Sequence, residues 1–178
     1  AILALAAPAA LLAGCGREAR EAAKLPPLSE DETSAEVFGK HYPRHFDSFQ
    51  RNRGPEASDL KEVSEFGGSI PYSKLEANPD LKRLFQGSRF FFEYNEDRGH
   101  VWTLEDVTRT ERVFEKTTAT CLTCKSAQVP GLIQKLGPQY YTTPFSDIIK
   151  LAKDPISCSD CHNPKTMELR ITRPAFKE

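Results

Sequence analysis

Apolar and polar residues along this chain alternate in short bursts, and none of the bursts is long enough for an extended helix or a sheet. Residues 1–15 form one small-apolar run, AILALAAPAALLAGC. The run is too short to span a bilayer comfortably, since a spanning helix wants about 20 residues. From Ser34 the pattern turns helical: Val37 and Phe38 are apolar, Ser34 is a fitting N-cap, and Pro43 then forces a bend. Glycine, proline and serine crowd residues 51–73, which read as irregular loop. Asn78-Pro79-Asp80 predicts a helix start, with Asn as cap and Pro at the first helical position. Leu81, Leu84 and Phe85 then form an apolar stripe that Gly87 closes. Residues 89–94 predict a short strand or extended packing segment. Helices are expected near 128–136 and 144–153, the second stopped by Pro155. The expected fold class is mainly α, with short helices, long irregular loops and little or no sheet.

Composition narrows the function classes. The 24 Lys and Arg nearly balance the 25 Asp and Glu, for a net charge of −1, so no bulk field favours nucleic acid. A mean hydropathy of −0.50 excludes a polytopic membrane protein. The 13 prolines exceed the 10 glycines, consistent with many interrupted elements. The hydrophobic share of 39% is modest, which suggests that something besides side chains fills the interior.

The apolar opening reads as the core of a secretory signal without its Met and positive start. Its end, Leu12-Ala13-Gly14-Cys15, resembles a bacterial lipobox, which makes Cys15 a candidate lipidation site and anchor to a membrane. An ordinary signal peptide with a chance cysteine is the alternative, and either places the protein outside the cytoplasm. Residues 16–34 are charged and proline-bearing and read as a flexible tether, leaving 35–178 as the folded body. Both ends look cut, so the chain reads as part of a longer protein.

The remaining cysteines fall in two pairs. Cys158-Ser-Asp-Cys161-His162 is a C-x-x-C-H motif, the pattern of c-type haem attachment. Two thiols three positions apart can form thioethers to a porphyrin while the next residue supplies an axial imidazole. Cys121-Leu-Thr-Cys124-Lys125 repeats the pair with Lys where His belongs. An ordinary amine, with a pKa of about 10.4, must surrender its proton before it can bind a metal. The Lys-bearing site is therefore the candidate reactive centre, and the His-bearing site a relay. Other uses of the four thiols stay open. A zinc site is one, although 33 residues lie between Cys124 and Cys158, more than the usual ribbon spacing of about 15–20. Two disulfides are another, in an oxidising compartment.

With both motifs in view, the chain resembles the pentahaem cytochrome c nitrite reductase family, the ammonia-forming enzymes. The resemblance rests on Thr120-Cys121-Leu-Thr-Cys124-Lys125-Ser126-Ala-Gln-Val129-Pro130 and on Ile156 through Arg173-Pro174, which contains Cys158, Cys161 and His162. His41-Tyr42-Pro43, Asn78-Pro79, Tyr94 and Arg98-Gly99-His100 are similar to the family's N-terminal signature. It implies that Lys125 is proximal ligand of a catalytic haem held by Cys121 and Cys124, and His162 that of a second haem held by Cys158 and Cys161. It implies further that Arg112, with Arg109 as the neighbouring alternative, attracts nitrite on the distal side, and that His100 ligates the iron of a third haem attached beyond Glu178. Two covalent haem c sites would lie here, of five in the family. Calcium, bound by many members, would find its ligands elsewhere, as would the catalytic Tyr and His. Periplasmic location, a homodimer, and a quinol-oxidising or small multihaem cytochrome as electron donor follow from the same resemblance. His41 and His45 are expected at the surface, and Tyr42 and Trp102 in packing. The competing functions are a non-catalytic multihaem electron-transfer cytochrome, a relative acting on hydroxylamine or sulfite, and a zinc or disulfide-stapled lipoprotein module.

Overall fold

The computed structural model describes residues 20–53 and 70–177. The signal-like run with Cys15, residues 16–19 of the expected tether, and most of the 51–73 loop lie outside the described residues.

The described residues form short α-helices and 3₁₀ turns joined by irregular segments, with no strand among them. Three isolated antiparallel bridges, Ser73 with Asn95, Thr118 with Pro144 and His162 with Leu169, are the only β contacts they make. Helices α1 (Ala35–His41) and α2 (Pro43–Arg51) form a bent pair. Ser34 caps α1, its Oγ accepting from Val37 N at 3.2 Å, and Pro43 opens α2 at its first position, where no N–H is needed. Phe38 is fully buried between them. Gly39 is required at the crossing: a Cβ there would come within 2.4 Å of Phe46 Cγ.

Helix α3 (Lys74–Ala77) and helix α4 (Asp80–Leu84) follow. The start of α4 differs from the expectation, because Pro79 is the cap and the Asn78 side chain makes no capping bond. The carbonyl of Asn78 accepts from Leu81 N instead, at 3.1 Å. Gly87, at φ +80°, ends the segment as expected. Leu84 leaves the stripe for solvent, 73% exposed, while Leu81 and Phe85 are half-buried. Residues 89–94 also differ: Arg89–Phe91 is a 3₁₀ turn capped by Ser88. No neighbouring strand is there to pair with, and the aromatic rings cluster instead, Phe90 with Phe85 and Tyr94 at 5.3 Å each.

Helix α5 (Thr103–Arg109) leads to the main core, in which Val107, Ala119, Leu122, Val129, Leu132, Tyr140, Phe145 and Ile148 pack together. Helix α6 (Val129–Leu136) matches its predicted span and stops at Gly137, which takes φ +58°. The expected 144–153 helix breaks into α7 (Phe145–Ile148) and a 3₁₀ turn, Ile149–Leu151. Helix α8 (Cys158–Cys161) is a single turn. Inside the 16–34 segment, Leu28 is buried, Thr33 Oγ1 donates to Asp154 at 2.9 Å, and Glu30 pairs with Lys165.

Candidate functional site

The core builds the first cysteine pair. Ala119 and Leu122 are fully buried within the 3₁₀ turn Ala119–Leu122, so the turn is pinned from inside. Cys121 lies in this turn, half-buried, and Cys124 follows just beyond its end, exposed. Tyr140, itself fully buried, donates its hydroxyl to the Ala119 carbonyl at 3.1 Å, and burial raises its pKa above the ordinary phenol value. Ala119 N to Thr143 O at 2.9 Å and Phe145 N to Thr117 O at 2.8 Å lock the other flank. The half-buried Lys125 follows, its N–H bonded to the Leu122 carbonyl at 2.8 Å.

The second pair sits on α8. Ser157 and Asp160 form a reciprocal capping box at its N-terminus, which stabilises a helix far too short to persist alone. Thiols at i and i+3 again share a face. His162 leaves the helix in extended geometry, and its Nδ1 lies 3.0 Å from the Met167 carbonyl. With Nδ1 as donor, Nε2 carries the free lone pair. Tyr42 steadies the loop behind it, donating to the Pro164 carbonyl at 3.0 Å.

Two clefts hold most of the candidate residues. One, of about 450 Å³, is lined by Cys121, Lys125, Arg112, Arg89, Phe90 and Tyr94 among others. Arg112 lies with its guanidinium 4.8 Å from the Phe90 ring centroid and donates from Nε to Thr110 Oγ1 at 3.1 Å. Neither of its Nη atoms is hydrogen-bonded among the described residues, so the fork is free to meet an anion. Arg109 lines the adjoining cleft, is 71% exposed and pairs with Glu105 at 2.5 Å. The second cleft, of about 430 Å³, joins Cys158, Cys161 and His162 to His100 and His45. The His45 ring centroid is 6.3 Å from that of His162. Sequence reasoning left His45 at the surface, and it is exposed, yet it also lines this cleft. Its place depends on how α2 crosses α8, for which the local sequence carries no signal. His41 lines neither cleft. Trp102 is half-buried beneath Arg98, whose guanidinium is 4.1 Å from its ring, and its buried Nε1 has no hydrogen-bond partner among the described residues.

The family model for cytochrome c552 matches residues 34–178. The chain belongs to the cytochrome c552 family. Cytochrome c-552 of Bacteroides fragilis is 34% identical over 155 residues, which cover 83% of this chain and 30% of the relative. The cytochrome c nitrite reductase subunit NrfA of Nitratidesulfovibrio vulgaris is 32% identical over 195 residues, covering 97% and 36%. A solved structure of the catalytic subunit NrfA from Desulfovibrio desulfuricans, in which two calcium sites are described, superposes with a TM-score of 0.68 at 26% identity, covering 85% of this chain and 35% of that one. The chain thus spans about a third of the length of these relatives.

Membership in a cytochrome c family brings c-type haem as cofactor, and this cytochrome c552 chain has donors that fit it. The four described cysteines are free thiols. Among the described residues, no group of three or more His, Cys, Asp or Glu is placed to hold a metal ion. Cys121 instead lines one cleft beside the candidate axial donor Lys125, and Cys158 and Cys161 line another beside His162. Burial pushes the Cys158 thiol up to about 11, which makes a redox-active thiolate there unfavourable.

Proposed function

We propose that this cytochrome c552 chain supplies one side of a nitrite-reducing centre and its adjacent electron relay. The observation that carries the reading is that Cys121, Lys125 and Arg112 line the same cleft. Haem bound through Cys121 and Cys124 supplies an iron able to take a nitrogen oxyanion and pass it electrons. Lys125 would hold that iron through its side-chain amine. Arg112 offers its unbonded Nη atoms to the anion, and the neighbouring Arg89 adds positive charge to the cleft, raising the local concentration of nitrite. Cys158 and Cys161 would hold the second haem, and His162 would present Nε2 to it because the Met167 carbonyl occupies Nδ1. The clear division between a substrate-facing Arg and a tautomer-locked His favours one reactive and one relay site over a pair of relays.

The wider assignments follow from the family resemblance and, for Cys15, from the lipobox-like Leu12-Ala13-Gly14-Cys15. Ammonium as product, export to the periplasm, a homodimer, calcium, a third haem ligated by His100, lipidation at Cys15 and a cytochrome or quinol-oxidising donor are all part of this reading. Among the described residues, no helix is long and apolar enough to cross a membrane.

The test uses the full-length protein, matured with covalent haem. Mass spectrometry should find one adduct at Cys121/Cys124 and one at Cys158/Cys161. Reduced protein should convert nitrite to ammonium, and Arg112→Gln should raise the KM for nitrite at least about tenfold, as the loss of one charge-assisted contact implies. Haem-loaded protein whose spectrum ignores nitrite would instead make this a relay cytochrome.

A further inference from the structure

Arg173 is the side chain through which the two cysteine turns meet. It is 7% exposed and its ion-pair partner Asp160 is 5% exposed. Nε donates to the Thr123 carbonyl at 2.7 Å and Nη2 to the Ser126 carbonyl at 2.9 Å. Nη1 donates to the Asp160 carboxylate and to Thr172 Oγ1, the latter at 2.7 Å. Thr123 and Ser126 bracket Cys124-Lys125, whereas Asp160 lies between Cys158 and Cys161 and caps their helix. One guanidinium therefore grips the backbone on both sides of Lys125 and the N-terminal turn of α8 together. Thr103 makes a second tie nearby. Its Oγ1 accepts from Ile156 N at 3.1 Å and faces the Lys125 and His100 carbonyls, both at 2.9 Å.

We propose that Arg173, paired with Asp160, is a positioning residue that sets the aim of the Lys125 amine and the placement of its turn relative to the Cys158–His162 turn. The proposal rests on the reading of Cys121–Lys125 as a haem site. A buried ion pair contributes little net stability, because desolvation of both charges offsets their attraction. Its contribution here is geometric. The guanidinium is a rigid planar fork that reaches two carbonyls and a carboxylate at once, which an ammonium on a flexible stem cannot do. Lys125 itself has four rotatable side-chain bonds and makes no side-chain hydrogen bond among the described residues, so its aim depends on how firmly the backbone beneath it is held.

Arg170 provides an internal control. It also grips α8, with Nε and Nη2 donating to the Ser159 carbonyl at 2.9 and 2.7 Å, but among the described residues it donates no hydrogen bond to residues 121–126. The experiment compares Arg173→Met, Arg173→Lys and Arg170→Met in the full-length holoprotein. Haem adducts are counted by mass spectrometry, axial ligation of each haem is read by electron paramagnetic resonance and magnetic circular dichroism, and nitrite affinity is measured by titration. Both Arg173 variants should keep both adducts, lose the single amine-ligated signature in favour of a mixture, and bind nitrite at least about tenfold more weakly. Their His-ligated signature should be unchanged. Arg170→Met should match the unaltered protein. Arg173→Lys retains a charge opposite Asp160, so it carries the test if Arg173→Met does not accumulate. A wild-type amine signature in Arg173→Lys overturns the proposal, and so does an equal change in Arg170→Met. If the unaltered protein carries no haem at Cys121 and Cys124, the haem reading fails and the proposal with it, an outcome separate from either of those.

Discussion

His162 Nδ1 lies 3.0 Å from the carbonyl oxygen of Met167, which is the one non-glycine residue with positive φ (62°) among those described. The two facts are linked. The tight turn between His162 and Leu169, closed by Asn163 N to Glu168 O at 2.8 Å and Met167 N to Asn163 O at 2.9 Å, brings the Met167 carbonyl under the imidazole only if that residue enters the left-handed region. A left-handed non-glycine residue costs roughly 1–2 kcal/mol. Met167→Gly should therefore leave stability unchanged or raise it by up to ~1 kcal/mol, and Met167→Val should lower it by at least about 1 kcal/mol. Equilibrium denaturant unfolding of the two variants checks this; equal effects would remove the argument that the turn is strained to serve His162.

Gly39 permits the α1–α2 contact. Gly39→Ala would place a methyl group 2.4 Å from Phe46 Cγ, so the helices must separate or Phe46 must leave its rotamer. The cost should be about 1–3 kcal/mol, the usual range for overpacking. The melting temperature should fall, and Phe46→Ala in the same chain should recover part of the loss.

Gly99 combines two requirements ahead of His100. Its φ is +112°, and a Cβ would fall within 2.4 Å of the Asn52 amide. Asn52 Oδ1 accepts from the buried Val101 N at 3.2 Å, so displacing Asn52 also orphans that donor. Gly99→Ala should destabilise by roughly 2–4 kcal/mol, the strain and the lost hydrogen bond together. Urea unfolding is the measurement, and a loss under 1 kcal/mol would mean that the 99–101 turn rearranges freely.

Acid should weaken the segment that carries Trp102 and α5. Arg98 hydrogen-bonds the Glu105 carboxylate at 2.9 Å and, with the nearby charge of Arg109, holds it below the ordinary value near 4.5. A carboxyl with a lowered folded pKa contributes stability that is fully present above its unfolded value and fades as pH falls through the folded one. Unfolding free energy should thus decline on acidification below about 4.5, and Glu105→Gln should flatten that decline without altering its alkaline limb. Titrating stability from pH 7 to pH 3 in both proteins decides it.

Much of the local architecture was legible beforehand. Ser34, Pro43, Gly87 and the 128–136 helix stand where the pattern put them, because caps, proline and left-handed glycine act within one turn of chain. Asn78 misled, since its backbone carbonyl and not its side chain meets the start of α4. The Phe90–Tyr94 run misled too, because aromatic residues suit a strand only where another strand is present, and here the rings pack on each other and on Phe85.

The candidate site divides the same way. The amino-acid order alone determined the paired thiols and the Lys and His that follow them, each set within five consecutive residues, and membership in the cytochrome c552 family across residues 34–178. Only the tertiary structure decided that Arg112 and not Arg109 shares a cleft with Cys121, that His45 and His100 line the cleft of His162, and that Arg173 joins two turns separated by dozens of residues. Those relations arise from helix crossings and buried polar contacts between distant segments. No spacing rule encodes them, since each depends on where the whole core places its surroundings.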